Sequence, residues 1–503
     1  MLKRLMTAAL ALLMALPGFA AAGAEESVPP AIEIVRNERR EDGTAVQWDT
    51  LRLTKGTKGY TALGETLKRD AGQRDTAKKD LLRELNATAR QLKRAEPLYE
   101  ISQLQVVRVD TRVLSAEIVW EGDYGGAHGD HGTETLNLDV ATGKPIRIAD
   151  AVTDMSGFAE ALKSELTKHY DPADLNFLDE YLEGLKAGNN EPAFSIGADC
   201  VNVYFGSSEI SPYAAGAESA TIRFAEYPGL FAEKVTALPE QGVYRIGARS
   251  EGKEIVWRMD AADGAFTLKA KPTVDAEYTA YEALELTVNG ATDTLADLMF
   301  YDAETYVLKN GDALVLWVFD RSDNDYVTLN SANLRAGAKW NRDGKELSLG
   351  GVNEESKKGS SRDVLRVLAD PATVCLATTC DVLGTYAGEA TYAVDANGVP
   401  QRTDEAFRVS PYSSIESTVK LKGIIVNEDG KGTKQTTVGK GSEMKVYRTD
   451  GTRWENTSYV DVKLSKGGKI VRFTYGEAKD GGFGAMVAGI AEEKAFKSLP
   501  YAG

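Results

Sequence analysis

From residue 239 onward the chain is punctuated by turn signals that favour hairpins. Asn289-Gly290, Asn310-Gly311, Asp343-Gly344, Asn397-Gly398, Asp429-Gly430 and Asp450-Gly451 each separate short runs of alternating apolar and polar residues. Asn and Asp tolerate a left-handed backbone and Gly adopts it freely, so such pairs close tight turns that match the twist of the flanking strands. Helical periodicity nearly vanishes over the same span. The expectation is a mainly all-β region built of a sandwich or small barrels, divided as 239–385 and 386–503. An SH3-like barrel pattern runs from Thr436 to Phe473. A propeller-like arrangement is the alternative: Val256-Trp257-Arg258-Met259-Asp260, with Asp263 and Phe266, echoes Leu316-Trp317-Val318-Phe319-Asp320, with Asp323 and Tyr326.

Residues 25–238 read differently. Ala31–Asn37 and Ala45–Leu53 alternate as strands around a Glu41-Asp42-Gly43 turn. From Asp75 to Arg94 the apolar positions Leu81, Leu82, Leu85, Ala89 and Leu92 recur at helical spacing, and Pro97 stops the helix. Strands follow at Ile101–Val109 and Arg112–Trp120, helices at Ser156–Tyr170 and Pro172–Lys186, and strands at Ala193–Phe205 and Ala220–Phe224. This order predicts an α+β domain, an antiparallel sheet with packed helices.

The 503 residues carry 75 Asp and Glu against 59 Lys and Arg, a formal charge of −16. Such a balance disfavours nucleic acid and anionic membrane surfaces, which need clustered Lys and Arg. Lys3 and Arg4, the apolar run Leu5–Leu16 and small residues up to Ala24 form a secretory signal peptide over 1–24. No later stretch approaches 18 uninterrupted apolar residues, so the mature chain is expected to be exported without a transmembrane segment. Export would put it outside the cell, in a periplasm or at the cell surface. There Cys375 and Cys380 could close a small loop, leaving Cys200 as a strand thiol.

The stretch Tyr124–Ile146, YGGAHGDHGTETLNLDVATGKPI, holds two of the three histidines. Glycines at 125, 126, 129 and 132 exclude a helix and offer positive φ. His128, His131 and Asp130 are candidate metal ligands, although a glycine turn does not fix their convergence. A second stretch, Glu209-Ile210-Ser211-Pro212-Tyr213-Ala214-Ala215-Gly216, would expose a rigid ring at low entropic cost. Asp320, Asp323 and Asp325 form an acidic tip that misses calcium-loop spacing. No Gly-x-Ser-x-Gly elbow or phosphate-cradling loop occurs, and no cofactor is expected.

Gly125-Gly126-Ala127-His128-Gly129 and the Glu209–Gly216 stretch together resemble the extracytoplasmic domain of RsiV-type lysozyme-sensing anti-sigma factors. That domain also precedes the catalytic part of PdaC-type peptidoglycan deacetylases. The resemblance covers roughly residues 30–235. It implies an α+β fold and, in the sensing members, capture of lysozyme through its active-site cleft. The sigma-binding segment and membrane span of the sensors do not occur here. Neither do the Asp-Asp pair and His-x-x-x-His motif of the deacetylases, so those two activities are not implied. The expected function is a secreted, non-catalytic binding protein of the cell envelope, with lysozyme, another protein or peptidoglycan as partner. Tyr124, His128, His131, Tyr204, Pro212 and Tyr213 are its expected ligand-binding residues. The alternative is a cell-wall hydrolase or transferase with its site in the β region, around Asp320–Asp325 or Trp257.

Overall fold

The computed structural model describes residues 28–501 apart from 93–96, 262–263, 274–279, 323–326, 355–359, 367, 369, 411–412 and 478–483. The expected signal peptide, Asp263, Asp323, Asp325 and Tyr326 lie outside the described residues.

Strands β1 (Ile32–Glu41) and β2 (Thr44–Leu53) form a hairpin in register from Ile32↔Leu53 to Glu41↔Thr44. Asp42 at φ 49° and Gly43 at φ 87° supply the left-handed pair such a turn requires. The chain then crosses through helix α1 (Thr61–Leu92) and returns as β3 (Tyr99–Asp110), parallel to β2 over Ala45↔Tyr99 to Trp48↔Ser102. This parallel pair departs from the antiparallel sheet expected.

Helix α1 begins well before the expected Asp75. Leu63 and Leu67 are buried against β1, β2 and β3, while Leu82 and Leu85 pack with Val46 and Trp48. Gly64 permits the close approach, since a Cβ there would lie 3.0 Å from Leu53 Cδ1. Strands β4 (Val113–Asp123) and β5 (Asp130–Asp139) complete this wall, paired from Val113↔Asp139 to Gly122↔Asp130.

Helix α2 (Met155–His169) is capped by Asp154, which accepts from Ser156 N at 3.0 Å. Helix α3 (Leu178–Lys186) starts later than the expected Pro172. Both pack through Phe158, Leu162, Tyr181 and Leu182 onto a small antiparallel sheet. Its strands are β6 (Ala193–Ile196), β7 (Cys200–Phe205) and β8 (Glu218–Arg223).

The sheets do not stop at residue 238 or at 385. Strand β9 (Gln241–Ile246) pairs with β3 over Arg108↔Tyr244 to Asp110↔Gly242. A separate meander follows, β10 (Ala248–Glu251), β11 (Glu254–Met259), β12 (Phe266–Pro272), β13 (Tyr281–Val288) and β14 (Ala291–Leu295). Strands β15 (Asp302–Asn310), β16 (Ala313–Arg321), β17 (Val327–Asn333) and β18 (Trp340–Glu346) then extend the first sheet beyond β9. On its other flank, β21 (Ser360–Arg366), with β20 (Gly351–Glu354) outside it and β19 (Ser348–Leu349) just before, pairs with β1 from Glu33↔Arg366 to Arg39↔Ser360. The hairpin of β22 (Thr373–Asp381) and β23 (Thr385–Val394) spans residue 385 and opens a third large sheet.

Strand β16 is covered on both faces. Leu314, Leu316 and Val318 pack with Trp257, Leu268 and Leu286 of the meander. Val315, Trp317 and Phe319 pack with Leu376, Tyr392 and Phe407 of the third sheet. Double burial explains the unbroken apolar run Leu314–Phe319. Trp257 and Trp317 thus sit in two stacked sheets, and the echo between their segments does not mark blades around an axis.

Toward the C-terminus, Phe407–Ser410, Glu443–Thr449, Tyr459–Leu464, Ile470–Glu477, Leu421–Val426 and Lys434–Val438 lie side by side in that order. Among the described residues no sheet closes into a barrel, so the SH3-like pattern falls within an open sheet. The Asp343-Gly344 pair lies within β18 and does not turn the chain. Cys375 and Cys380 both lie on β22. Five residues of strand separate their Cα atoms by about 16 Å at ~3.3 Å per residue, which rules out a bond between them.

Candidate functional site

The β4–β5 hairpin ends in the Gly/His stretch. Of the glycines at 125, 126, 129 and 132 only Gly125 takes positive φ, at 84°. A Cβ there would fall 2.5 Å from Leu92 Cδ1, so the loop closes against the end of α1. Gly132 serves another purpose. It pairs with Trp120, whose ring covers it so closely that a Cβ would lie 2.8 Å from Cζ2. His128 is exposed in the loop. His131 is exposed on β5 opposite Glu121, so it is a strand residue and not a turn residue. Asp130 uses its carboxylate to accept from His131 N at 3.0 Å.

The second stretch joins β7 to β8, whose last pair is Phe205↔Glu218. Ile210 is fully buried in the helix core, and its carbonyl accepts from Phe177 N at 3.0 Å. Ser211 donates to the Glu218 carboxylate, and Glu209 accepts from Gly206 N at 2.8 Å. With both ends tied down, exposed Pro212 leads into a 3-10 turn, Tyr213–Ala215, and Gly216 at φ 89° brings the chain back.

Tyr213 stands out of this turn 48% exposed, and its hydroxyl donates to Gly129 O at 3.1 Å. The two stretches therefore touch. Leu92 beside Gly125 and Phe177 beside Ile210, 45% and 44% exposed, add apolar surface at the two ends. Asp130, Glu121 and Glu209 place exposed carboxylates around it.

Tyr124 and Tyr204 do not join this surface. Tyr124 donates to the Glu100 carboxylate, which is fully buried and also ion-paired with Lys78. Burial, then the Glu100 charge, pushes the Tyr124 hydroxyl well above its ordinary pKa. Strand alternation turns Tyr204 toward β4, where it donates to Glu117 together with Ser195 at 2.9 Å. Asn202 donates to Ser195 Oγ at 3.3 Å and Arg245 lies 3.9 Å from Glu117, completing an interior polar network.

The β-region candidates are also interior. Trp257 belongs to the core of the meander. Asp320 is buried, accepts from Asn330, and is pushed by burial up to about 6. A cleft of about 320 Å³ opens nearby between Asp302, Glu304, Phe319, Arg321 and Leu349. Its carboxylates are engaged, Asp302 with Arg321 at 3.0 Å and Glu304 with the Tyr306 hydroxyl at 2.8 Å. Among the described residues no three of His, Cys, Asp and Glu form a ready metal centre, and no helix is long and apolar enough to cross a membrane.

Fold and surface together define a β-rich chain of several stacked sheets, with a mixed α/β part at its start. No protein-family model and no curated protein matches it. Among solved structures it is similar to a member of the DUF3298 family from Bacteroides fragilis, at 17% identity and TM-score 0.32, over 41% of this chain and 96% of that one. It is also similar to a DUF3298 family protein from Pseudomonas aeruginosa PAO1, at 18% identity and TM-score 0.27, over 42% and 98%.

Proposed function

We propose that the chain is an exported, non-catalytic binding protein of the cell envelope. Its Gly/His loop and its Pro212–Tyr213 loop act as one recognition surface for a protein partner or peptidoglycan, and lysozyme is the first partner to test. The observation that carries this reading is the Tyr213–Gly129 hydrogen bond. It fixes an aromatic ring in solvent beside His128, and a ring held in place loses little entropy on binding. The resemblance of both loops to the lysozyme-sensing domain points the same way. A charge of −16 suits a strongly basic partner such as lysozyme, because opposite fields speed encounter.

The test is capture of lysozyme by the immobilised chain at low and at high salt. Retention that weakens with salt and is lost in Tyr213→Ala is the expected result. Absence of retention at low salt removes lysozyme as partner, and purified peptidoglycan is then the remaining ligand to assay. The alternative of a wall hydrolase or transferase gains nothing from Asp320 or Trp257, since both are buried.

A further inference from the structure

We propose that the third large sheet, on the outer face of Glu443–Thr449, Tyr459–Leu464 and Ile470–Glu477, binds a flexible phosphodiester polyanion of the poly(glycerol phosphate) kind. Residues 420–472 carry 12 Lys and Arg against 6 Asp and Glu, inside a chain of formal charge −16. The strands sort them by side. Met444, Val446, Val460, Val462, Val471 and Phe473 point into the core. Alternation sends Asp461, Lys463 and Arg472 to the opposite face, and the register shift between Val446 and Arg448 keeps Arg448 on that face with Lys445.

Arg448, Asp461 and Arg472 lie abreast on the three strands. Asp461 is fully buried, and both arginines close on its Oδ2, Arg448 Nη2 at 2.7 Å and Arg472 Nη2 at 2.9 Å. One carboxylate cannot neutralise two guanidinium groups, so a positive charge is left over on side chains only 13% and 25% exposed. Among the described residues no second carboxylate pairs with either arginine, and Asp450 accepts from Ser458 and from Tyr459 N instead. Arg448 spends its fork on Asp461 and on the carbonyls of Asn427 and Glu428. Arg472 gives Asp461 only Nε and one Nη2 hydrogen, so three of its five N–H donors have no partner among the described residues. The Tyr459 ring holds its plane, with Cζ 3.5 Å from the ring centroid.

Farther along the same face Lys445 stands directly opposite Lys463. Like charges so placed destabilise a sheet. Both lysines are exposed, and neither pairs with a carboxylate among the described residues. Lys466 and Lys469 follow in the adjoining turn, where Leu464 N donates to Lys469 O at 2.9 Å. An uncompensated guanidinium and a Lys–Lys pair thus burden one face, and an anionic chain laid across it relieves both. What the face lacks selects the occupant. No large apolar side chain is exposed in this region among the described residues, so nothing inserts into a bilayer. Tyr447 and Tyr459 already hold Arg448, Lys463 and Arg472 over their rings, which leaves bases no spare stacking platform. Phosphates on a flexible chain need only the charges and the Arg472 fork.

The test titrates the full chain into end-labelled poly(glycerol phosphate), followed by fluorescence anisotropy from low to high salt. Saturable binding is expected, with log K falling against log salt at a slope of about −3 for roughly four neutralised phosphates. Arg472→Gln, which keeps the Arg448–Asp461 pair, should weaken binding by about tenfold or more. The double variant Lys445→Gln, Lys463→Gln, altered at exposed positions, should make that slope shallower by about 1.4 and raise the melting temperature of the free chain. If Arg472→Gln does not fold, the double variant decides the same question. No binding at low salt, or binding unchanged in the variants, overturns the proposal. So does tighter capture of oligothymidylate or of phosphatidylglycerol vesicles than of the polymer. None of these changes touches the Tyr213 surface, so the outcome stands apart from lysozyme capture.

Discussion

Tyr204 and Tyr213 flank the same β7–β8 hairpin, yet their hydroxyls face different worlds. Tyr204 donates its hydrogen bond to a carboxylate inside the molecule, where Ser195 and Arg245 also converge on Glu117. Tyr213 donates its hydrogen bond to a backbone carbonyl at the surface and leaves its ring in solvent. Tyr124 and Glu100 repeat the first arrangement beneath α1. The difference teaches that a tyrosine holding a buried charge is part of the fold. A tyrosine pinned only through its hydroxyl to another loop is free to meet a partner with its face.

The largest effect should come from the interior side of this contrast. Lys78→Met removes the ammonium paired with fully buried Glu100 and keeps the Tyr124 hydroxyl as a donor to it. Breaking a buried pair from one side costs about 3–5 kcal/mol. Urea denaturation should show that loss, while binding by the folded fraction stays unchanged. A loss below about 1 kcal/mol would place this network with exposed pairs and break the contrast.

Asp320 extends the comparison to the middle layer, with the sign reversed. Burial raises its pKa from 3.8 to about 6, so its contribution to stability is complete below 3.8 and is lost as pH rises through 6. Asp320→Asn should flatten that decline and stabilise the protein at pH 7 by up to about 3 kcal/mol. Melting temperatures from pH 4 to pH 8 measure it, and a wild-type profile parallel to the variant's would refute the assignment. Tyr204→Phe should cost about 1–3 kcal/mol through the lost donor to Glu117. Smallest of all, Tyr213→Phe should shift stability by less than about 0.5 kcal/mol. It should nevertheless loosen the contact between the two loops and weaken partner capture, a divergence that chemical denaturation and binding assays on one sample can sharpen.

Local features were legible in the residues. The Asp42-Gly43 turn, the alternation in β1 and β2 and the stop after α1 all follow from short-range rules. So did the nearness of the Gly/His and Tyr213 loops, although through likeness to a family and not through spacing. The first turns of α1 were hidden, because Gly64 and Gly72 interrupt a helical pattern and Gly64 is small for the sake of Leu53. Tyr124 and Tyr204 looked like surface residues because nothing in their neighbourhoods announces Glu100 or Glu117 across the sheet. Sheet membership was hidden for the same reason. A strand's own residues do not name the distant strand that will pair with it, so β9 with β3 and β21 with β1 appear only in three dimensions.

That last pairing bears on how the molecule is made. A chain synthesised from its N-terminus holds the outer side of β1 bare until residues 360–366 have emerged, because β21 is what covers it. Bare strand margins recruit other strands, including those of a neighbouring nascent copy. Release before that segment is complete would favour entangled copies over single ones, and a fragment cut at residue 238 would carry that sticky margin permanently.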